Sequence, residues 1–354
     1  MACHRGKAKP GLESRKLKAK TMSTISNASS KTVSEALNAA RTSVAVFDLS
    51  DRTQIEVTGA DRVRFLHSFT SNDIKGLKPG QGCETFVTNL KGKVAAHVFV
   101  FSGEKSLWLD GTSGQQEAII GHLGKFVLID DVLLIPRSDE RGELLVTGPL
   151  AAQLLQLDDG TAVGSTIQRE SENLSIHIRR VDLLGSPGFL LSVPREQIEG
   201  VKLSLCGLGV AEGTLELFEY LRIDAGYPLY GVDITDDHLA QEVARTKQCV
   251  SFNKGCYLGQ ETIARLDALG HTNRELRRLQ FESLVVPIPG TVVYDLAGTT
   301  EVGVVTSAAI EISDDPAQTS QSVVALGMIK RPACQPETPV CLILNDQKIS
   351  GNVR

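Results

Sequence analysis

With 354 residues, 42% of them apolar and 22% charged, the chain is too long for one ordinary hydrophobic core, and it holds no run of eighteen apolar residues that would cross a bilayer as a helix. Its formal charge of −5 is unevenly spread: residues 1–31 hold eight basic groups against the single acid Glu13, +7 in all, which leaves −12 on the rest. An acidic body repels phosphate backbones, so neither a nucleic-acid nor a membrane partner is expected, and the chain is read as a monomer.

The basic, Ser/Thr-rich residues 1–33 read as a disordered or targeting tail, with Met22 a second candidate start. The expected location is cytoplasmic, with mitochondrion or chloroplast as the alternative if this stretch is a transit peptide. Ser34 and Glu35 then open a short helix. Strands are expected at 44–49 and 54–58, followed by a helix over 59–70 with Val63, Leu66 and Phe69 on one face. Strands at 83–89 and 94–101 form a hairpin through Leu90, Lys91 and Gly92. A helix over 113–126 precedes an apolar strand run at 127–135, broken by Asp130 and Asp131. Further strands fall at 144–146, 174–179 and 189–193, with helices at 150–157 and 196–205. This mixture argues an α+β body of two interleaved subdomains over 34–270, and no glycine-rich nucleotide cradle follows any strand. Short strands at 279–281, 291–294, 301–307, 323–329 and 340–344, set off by Pro and Gly, read as a C-terminal antiparallel β-barrel of five or six strands over 271–354.

Seven cysteines stand at 3, 83, 206, 249, 256, 334 and 341 without a C-x-x-C pair. No metal site is expected; Cys249, Cys256 and His271 weigh less as ligands than as reduced thiols and a surface imidazole. Two stretches carry chemistry. In Glu216 to Asp233, Leu217, Tyr220, Leu221 and Asp224 lie on adjoining turns of a helix that ends at Gly226 and is stopped by Pro228. This either delivers one carboxylate to a glycine corner or leaves a solvated charged face. In Lys254-Gly255-Cys256-Tyr257-Leu258-Gly259-Gln260-Glu261, the thiol sits near Lys254 and just before a helix bearing Ile263, Leu266 and Leu269. That arrangement favours a reactive thiolate; the plainer alternative is a buried structural Cys in a glycine loop.

The Lys-Gly-Cys-Tyr-x-Gly-Gln-Glu run with Ala264 and Arg265 resembles the signature of the YgfZ-type folate-binding proteins, paralogues of the glycine cleavage T-protein, an aminomethyltransferase. Leu221 to Gly226 with Tyr230, Gly231, Asp233 and Ile234 resembles the T-protein's R-L-E-A-G…Y-G-x-D stretch. Phe65, Leu66 and His67 with Thr70, Asn72, Asp73 and Ile74 are similar to the family's N-terminal helix. Pro289-Gly290, Gly303 to Ser307 and Ala325 to Gly327 are similar to its barrel, so the likeness covers about residues 40–345. It implies a three-subdomain cloverleaf of the T-protein type with tetrahydrofolate, or a derivative, in a central channel. Asp224 stands where the T-protein's glutamate holds the pterin edge. Arg222, Tyr230, Asp233, Gly255, Tyr257, Gln260, Glu261 and Arg265 are the accompanying cofactor-binding candidates. The T-protein's N-x-x-G-G-x-x-D-D is Asn89 to His97 here, with Ala96 and His97 in place of both aspartates. The parent aminomethyl transfer is therefore not expected, although His97 could act as a base.

Three readings follow. The leading one is a tetrahydrofolate-binding accessory protein for iron–sulfur cluster assembly or repair. Cys256 would be its reactive thiol, with Lys254 close by, and its partners would be iron–sulfur assembly proteins or client enzymes. The alternative is a folate-dependent one-carbon (aminomethyl or methyl) transferase using His97 or Asp224. A scaffold whose Gly-Cys loop only closes the fold is the third, bland reading.

Overall fold

A computed structural model describes residues 30–171, 174–312 and 322–354. Residues 1–29, most of the stretch read as a tail, lie outside the described residues. The first helix, Ser30–Thr42, begins inside that stretch and packs Ala36, Leu37 and Ala40 into the core.

Three sheets make an α+β molecule of three lobes. A five-stranded antiparallel sheet runs Gly82–Thr88, Val94–Ser102, Leu107–Gly111, Thr53–Thr58, Leu133–Pro136 in spatial order. A six-stranded sheet runs Ala211–Gly213, Ala45–Asp48, Arg141–Thr147, Gly188–Pro194, Leu174–Val181, Thr166–Ser171. Six antiparallel strands between Arg274 and Val353 close into a barrel. Each lobe has its own apolar cluster, around Val98 and Leu109, around Val146 and Leu191, and around Phe281 and Val305. A fourth and larger cluster joins all three: Phe47, Phe86, Phe99, Leu190, Leu217 and Leu276 come from every lobe.

Strand parity decides which side chains reach this common core. On Val94–Ser102, Ala96, Val98 and Val100 point into the lobe's own cluster, while Phe99 and Phe101 point to the centre. Val94 also points to the centre, because a bulge between Val87 and Thr88 shifts the register of the hairpin. His97 shares the face of Phe99, so the imidazole, not Ala96, faces the middle of the molecule.

The chain departs from sequence expectation where pairing is set by distant partners. The apolar run at 127–135 pairs only over Leu133–Pro136. Its first part folds back on the start of the helix Arg62–Phe69: the Asp131 carbonyl accepts the Asp61 amide at 3.1 Å, and the Asp131 amide donates to Asp61 Oδ2 at 3.0 Å. With no strand beside them, Leu128 and Ile129 stay exposed. Polar strands absent from the sequence reading, Thr166–Ser171 and Gln347–Val353, exist because each has an established edge to pair with.

Two buried polar links hold the lobes. Between the sheets, Asp110 accepts Arg52 at 2.6 Å and Arg179 at 3.0 Å, and Arg179 also donates to Glu143 at 2.8 Å. Between the helix Leu215–Asp224 and the barrel, Asp233 Oδ2 accepts Arg222 Nη1 and the Leu229 amide, both at 2.9 Å. Its Oδ1 takes the hydroxyls of Thr306 and Ser307 at 2.7 and 2.5 Å. Removing one member of a buried pair strands the other charge. Asp233→Ala is expected to cost roughly 3–5 kcal/mol, read as a lower urea midpoint, with Asp233→Asn recovering part of the loss.

Candidate functional site

The lobes leave space where they meet. A cavity of about 480 Å³ is walled by Gly82, Cys83, Glu84, Tyr227, Arg245 and Gln248 among others. A second, of about 300 Å³, is walled by Arg41, Ser186, Asp224 and Arg278 among others. Gly185 and Ala225 line both, so the two adjoin at the end of the helix Leu215–Asp224. That helix is capped by the Thr214 hydroxyl, which accepts the Leu217 amide, and stops at Gly226, whose φ of +75° suits glycine. The turn that follows puts Tyr227 into the larger cavity.

Asp224 is the one cofactor candidate from the sequence reading that lines either of these cavities, and it lines the smaller. It is half-buried, and its carboxylate takes no hydrogen bond from any described side chain or amide; only its carbonyl is engaged, by Arg278. Arg222 and Asp233 are placed inside the fold, each about 1% exposed and fully paired with one another and their neighbours. Tyr230 packs beside the hairpin: its amide donates to Thr112 Oγ1 at 3.2 Å and its hydroxyl to the Val94 carbonyl at 3.4 Å.

The larger cavity has a charged wall that sequence reasoning missed. Glu84 accepts His97 Nε2 at 2.6 Å on Oε1 and is gripped by Arg245, through Nε to Oε1 and through Nη2 to Oε2. Burial alone would raise the Glu84 carboxyl, but the His97 and Arg245 hydrogen bonds outweigh it and hold it at about 2. Glu84 is therefore ionised throughout the physiological range. The Arg245 guanidinium lies 5.0 Å from the centre of the Tyr227 ring, and burial raises the Tyr227 hydroxyl. Cys249 Sγ stands 3.8 Å from His97 Nε2, and burial pushes its thiol well up. No local pattern marks Glu84, Arg245 or Cys249; the short helix Thr246–Cys249 that places the last two is itself silent in the sequence.

The Lys254–Glu261 loop does not belong to these cavity walls. Lys254 is buried and does not serve the Cys256 thiol: its ammonium donates to the carbonyls of His67, Thr70 and Asn72 at 2.6, 2.6 and 2.8 Å. Burial lowers it to about 8, and the Tyr257 ring lies 4.7 Å beneath. The Thr88 hydroxyl donates to the Leu258 carbonyl at 2.6 Å, and the Leu258 amide donates to the Ser68 carbonyl at 2.9 Å. Cys256 is exposed and hydrogen-bonds no described residue. Gln260 is half-buried, and Glu261 and Arg265 are exposed on the helix Gln260–Leu269.

The two glycines of the loop are not equivalent. Gly259 has φ +84°, and a Cβ there would overlap the Asn89 carbonyl and come within 2.8 Å of Gly92 Cα. A Cβ on Gly255 would meet only His67 Nε2, at 3.9 Å. Gly259→Ala is thus expected to lose about 2 kcal/mol or more, while Gly255→Ala stays within about 0.5 kcal/mol of the parent. Chemical denaturation of the two variants compares them directly.

A three-lobed α+β body with a C-terminal barrel, built around a central cavity with a charged wall, is the class these observations define. A family model described as the GCVT N-terminal domain matches residues 16–254, two thirds of the chain, and the protein belongs to that family. The aminomethyltransferase of Deinococcus deserti is 28% identical over 205 residues, 56% of this chain and 57% of that protein. A putative chloroplastic transferase of Arabidopsis thaliana is 32% identical over 244 residues, 66% of this chain and 55% of that protein. The chain thus spans little more than half the length of these two relatives. The aminomethyltransferase of Chlorobium chlorochromatii is 24% identical over 331 residues, with 89% and 87% covered. The crystal structure of glycine cleavage system aminomethyltransferase T from Bartonella henselae superposes with a TM-score of 0.79 over 91% of this chain and 88% of that one, at 24% identity. That likeness shows the fold: it is of the T-protein type. Among the described residues, no helix is long and apolar enough to cross a membrane.

Proposed function

We propose that the protein binds a reduced folate in the adjoining cavities and acts as a folate-dependent one-carbon transferase. The observation that carries this is Asp224, a cavity-lining carboxylate with no hydrogen-bond donor of its own among the described residues. A pterin edge presents ring N–H and amino donors that such a carboxylate accepts. The volumes, about 300 and 480 Å³, are of the size that small-molecule sites use. The family membership and the aminomethyltransferase names of the relatives support the same reading.

When bound, a reduced folate supplies the nitrogen that carries the one-carbon unit. The chain's residues do the rest. Asp224 orients the ring, and Tyr227 offers an aromatic face in the larger cavity. Glu84, ionised and fixed by Arg245 and His97, holds a negative charge at that wall, a better acceptor for an N–H or a positive centre than a base. No aspartate stands at Ala96 or His97, so the chemistry differs from the parent transfer in which group handles the proton. Isothermal titration with tetrahydrofolate is expected to show binding that weakens at least about tenfold in Asp224→Ala, the worth of one charge-assisted hydrogen bond. Unchanged affinity in that variant, or none in the parent chain, would overturn the reading.

One observation favours a second role. Cys256 is an exposed thiol on a loop otherwise clamped to the body, which suits transient capture of a partner in iron–sulfur assembly, as the YgfZ-type likeness of the loop implies. Cys256→Ser should then leave tetrahydrofolate affinity unchanged while failing to restore iron–sulfur enzyme activity in a strain lacking its own copy. Full restoration by the serine variant would remove the thiol role.

A further inference from the structure

Among the described residues, Glu84, His97 and Cys249 are the set whose ligand atoms all lie within 4.8 Å of one another, and all three are buried. Their sequence spacing, on two strands and a short helix, hides them from any ligand motif. The geometry centres on one atom. His97 Nε2 is 2.6 Å from Glu84 Oε1 and 3.8 Å from Cys249 Sγ. Because both neighbours face the same ring nitrogen, the imidazole cannot relay a proton between them, as a nucleophile–base–acid triad requires. One ring nitrogen flanked by a carboxylate oxygen and a sulfur is instead the arrangement that a metal ion completes when it takes the place of the shared proton.

We propose that Glu84, His97 and Cys249 bind one divalent transition-metal ion of the zinc class. Mixed nitrogen, sulfur and oxygen ligands suit Zn²⁺ and its neighbours, not Mg²⁺ or Ca²⁺, which prefer oxygen alone. A tetrahedral ion with metal–ligand bonds of about 2.0 to 2.3 Å places its ligand atoms roughly 3.3 to 3.8 Å apart. The sulfur–nitrogen separation already meets this, and the nitrogen–oxygen pair opens by less than about 1 Å once the ion replaces the bridging proton. Binding releases the Cys249 thiol proton, and the proton that His97 Nε2 shares with Glu84 passes to Nδ1, so that the ring binds as its neutral Nδ1–H form. Arg245 grips both Glu84 oxygens and fixes the plane of that carboxylate, as partners of metal ligands do. Its charge opposes the ion, so both anionic ligands are needed. Glu84 also lines the larger cavity, so an ion here would stand at the cavity wall.

Glu84 is shared with the wall of the larger cavity, and the ion is tested in the absence of folate. The full chain, stripped with chelator, is titrated with Co²⁺ alone. The expected result is one equivalent bound, with thiolate-to-cobalt charge-transfer absorption and tetrahedral d–d bands, reversed by Zn²⁺. Cys249→Ser should abolish the charge-transfer band and weaken binding more than tenfold, whereas Cys256→Ser and Cys3→Ser keep both. Absence of stoichiometric uptake, or a band that survives Cys249→Ser or disappears with Cys256→Ser, would overturn the proposal. Should Cys249→Ser fail to fold, X-ray absorption on the Zn²⁺-loaded parent chain decides: one sulfur at about 2.3 Å with nitrogen and oxygen neighbours supports the site. A shell with no sulfur, or with several, refutes it.

Discussion

A guanidinium and a carboxylate, Arg222 and Asp233, lie in the interior with about 1% of their surface exposed. Either alone would cost several kcal/mol to bury; Asp233 depends on Arg222 and the donors around it, while Arg222 also pairs with Glu219 at 2.5 Å. Those donors come from different parts of the chain. Arg222 belongs to the helix Leu215–Asp224, the Leu229 amide to the loop after it, and Thr306 and Ser307 to a barrel strand. The pair therefore fixes the helix end against the barrel. Asp224, Ala225 and Tyr227, the residues that this end contributes to the cavities, inherit their positions from it. The sequence reading takes Arg222 and Asp233 for cofactor-binding groups, whereas the fold buries both side chains and pairs them with each other.

The charged wall of the larger cavity depends on a second constraint, the hairpin bulge at Val87 and Thr88. Without the extra residue, the strand leaving the turn would meet the sheet with opposite parity. His97 would then face the lobe's own apolar cluster, and Glu84 would lose the hydrogen bond that, with Arg245, keeps it ionised in a dry place. Position 97 thus acts through geometry as much as through chemical identity. Replacing the family's aspartates with Ala96 and His97 does not empty the site of charge, because Glu84 supplies a carboxylate from the adjoining strand.

The legible parts of the molecule were those whose cause is local. The hairpin around Gly92, the helix stop at Gly226 and the barrel strands after Arg274 each follow from neighbours in sequence. The illegible parts were those whose partner is far away in the chain. Thr166–Ser171 is polar and becomes a strand only because the strand Leu174–Val181 lies beside it. The apolar run from Val127 looks like a strand and is not one over its first residues, because Asp131 is claimed by Asp61. Glu84, Arg245 and Cys249 meet across more than 160 positions of the chain, in a place that spacing rules do not reach.

The loop from Lys254 to Glu261 shows how a conspicuous motif divides between fold and function. Lys254 caps the His67 carbonyl at the end of the helix Arg62–Phe69 and the Thr70 and Asn72 carbonyls just after it, and Tyr257 covers its ammonium. Leu258 is held on both sides by backbone and hydroxyl hydrogen bonds. Gly259 is required because the hairpin turn at Asn89 and Gly92 presses directly on it. Leu258 and Gly259 clasp the loop onto the hairpin that carries His97, and Lys254 with Tyr257 clasps it onto the end of the helix Arg62–Phe69, which accounts for lysine, tyrosine and glycine without reference to any reaction. Such a clasp holds its own tip still at little further entropic cost. The tip is Cys256, an exposed thiol that bonds no described residue, and packing explains its presence no more than that of Gly255 or Glu261.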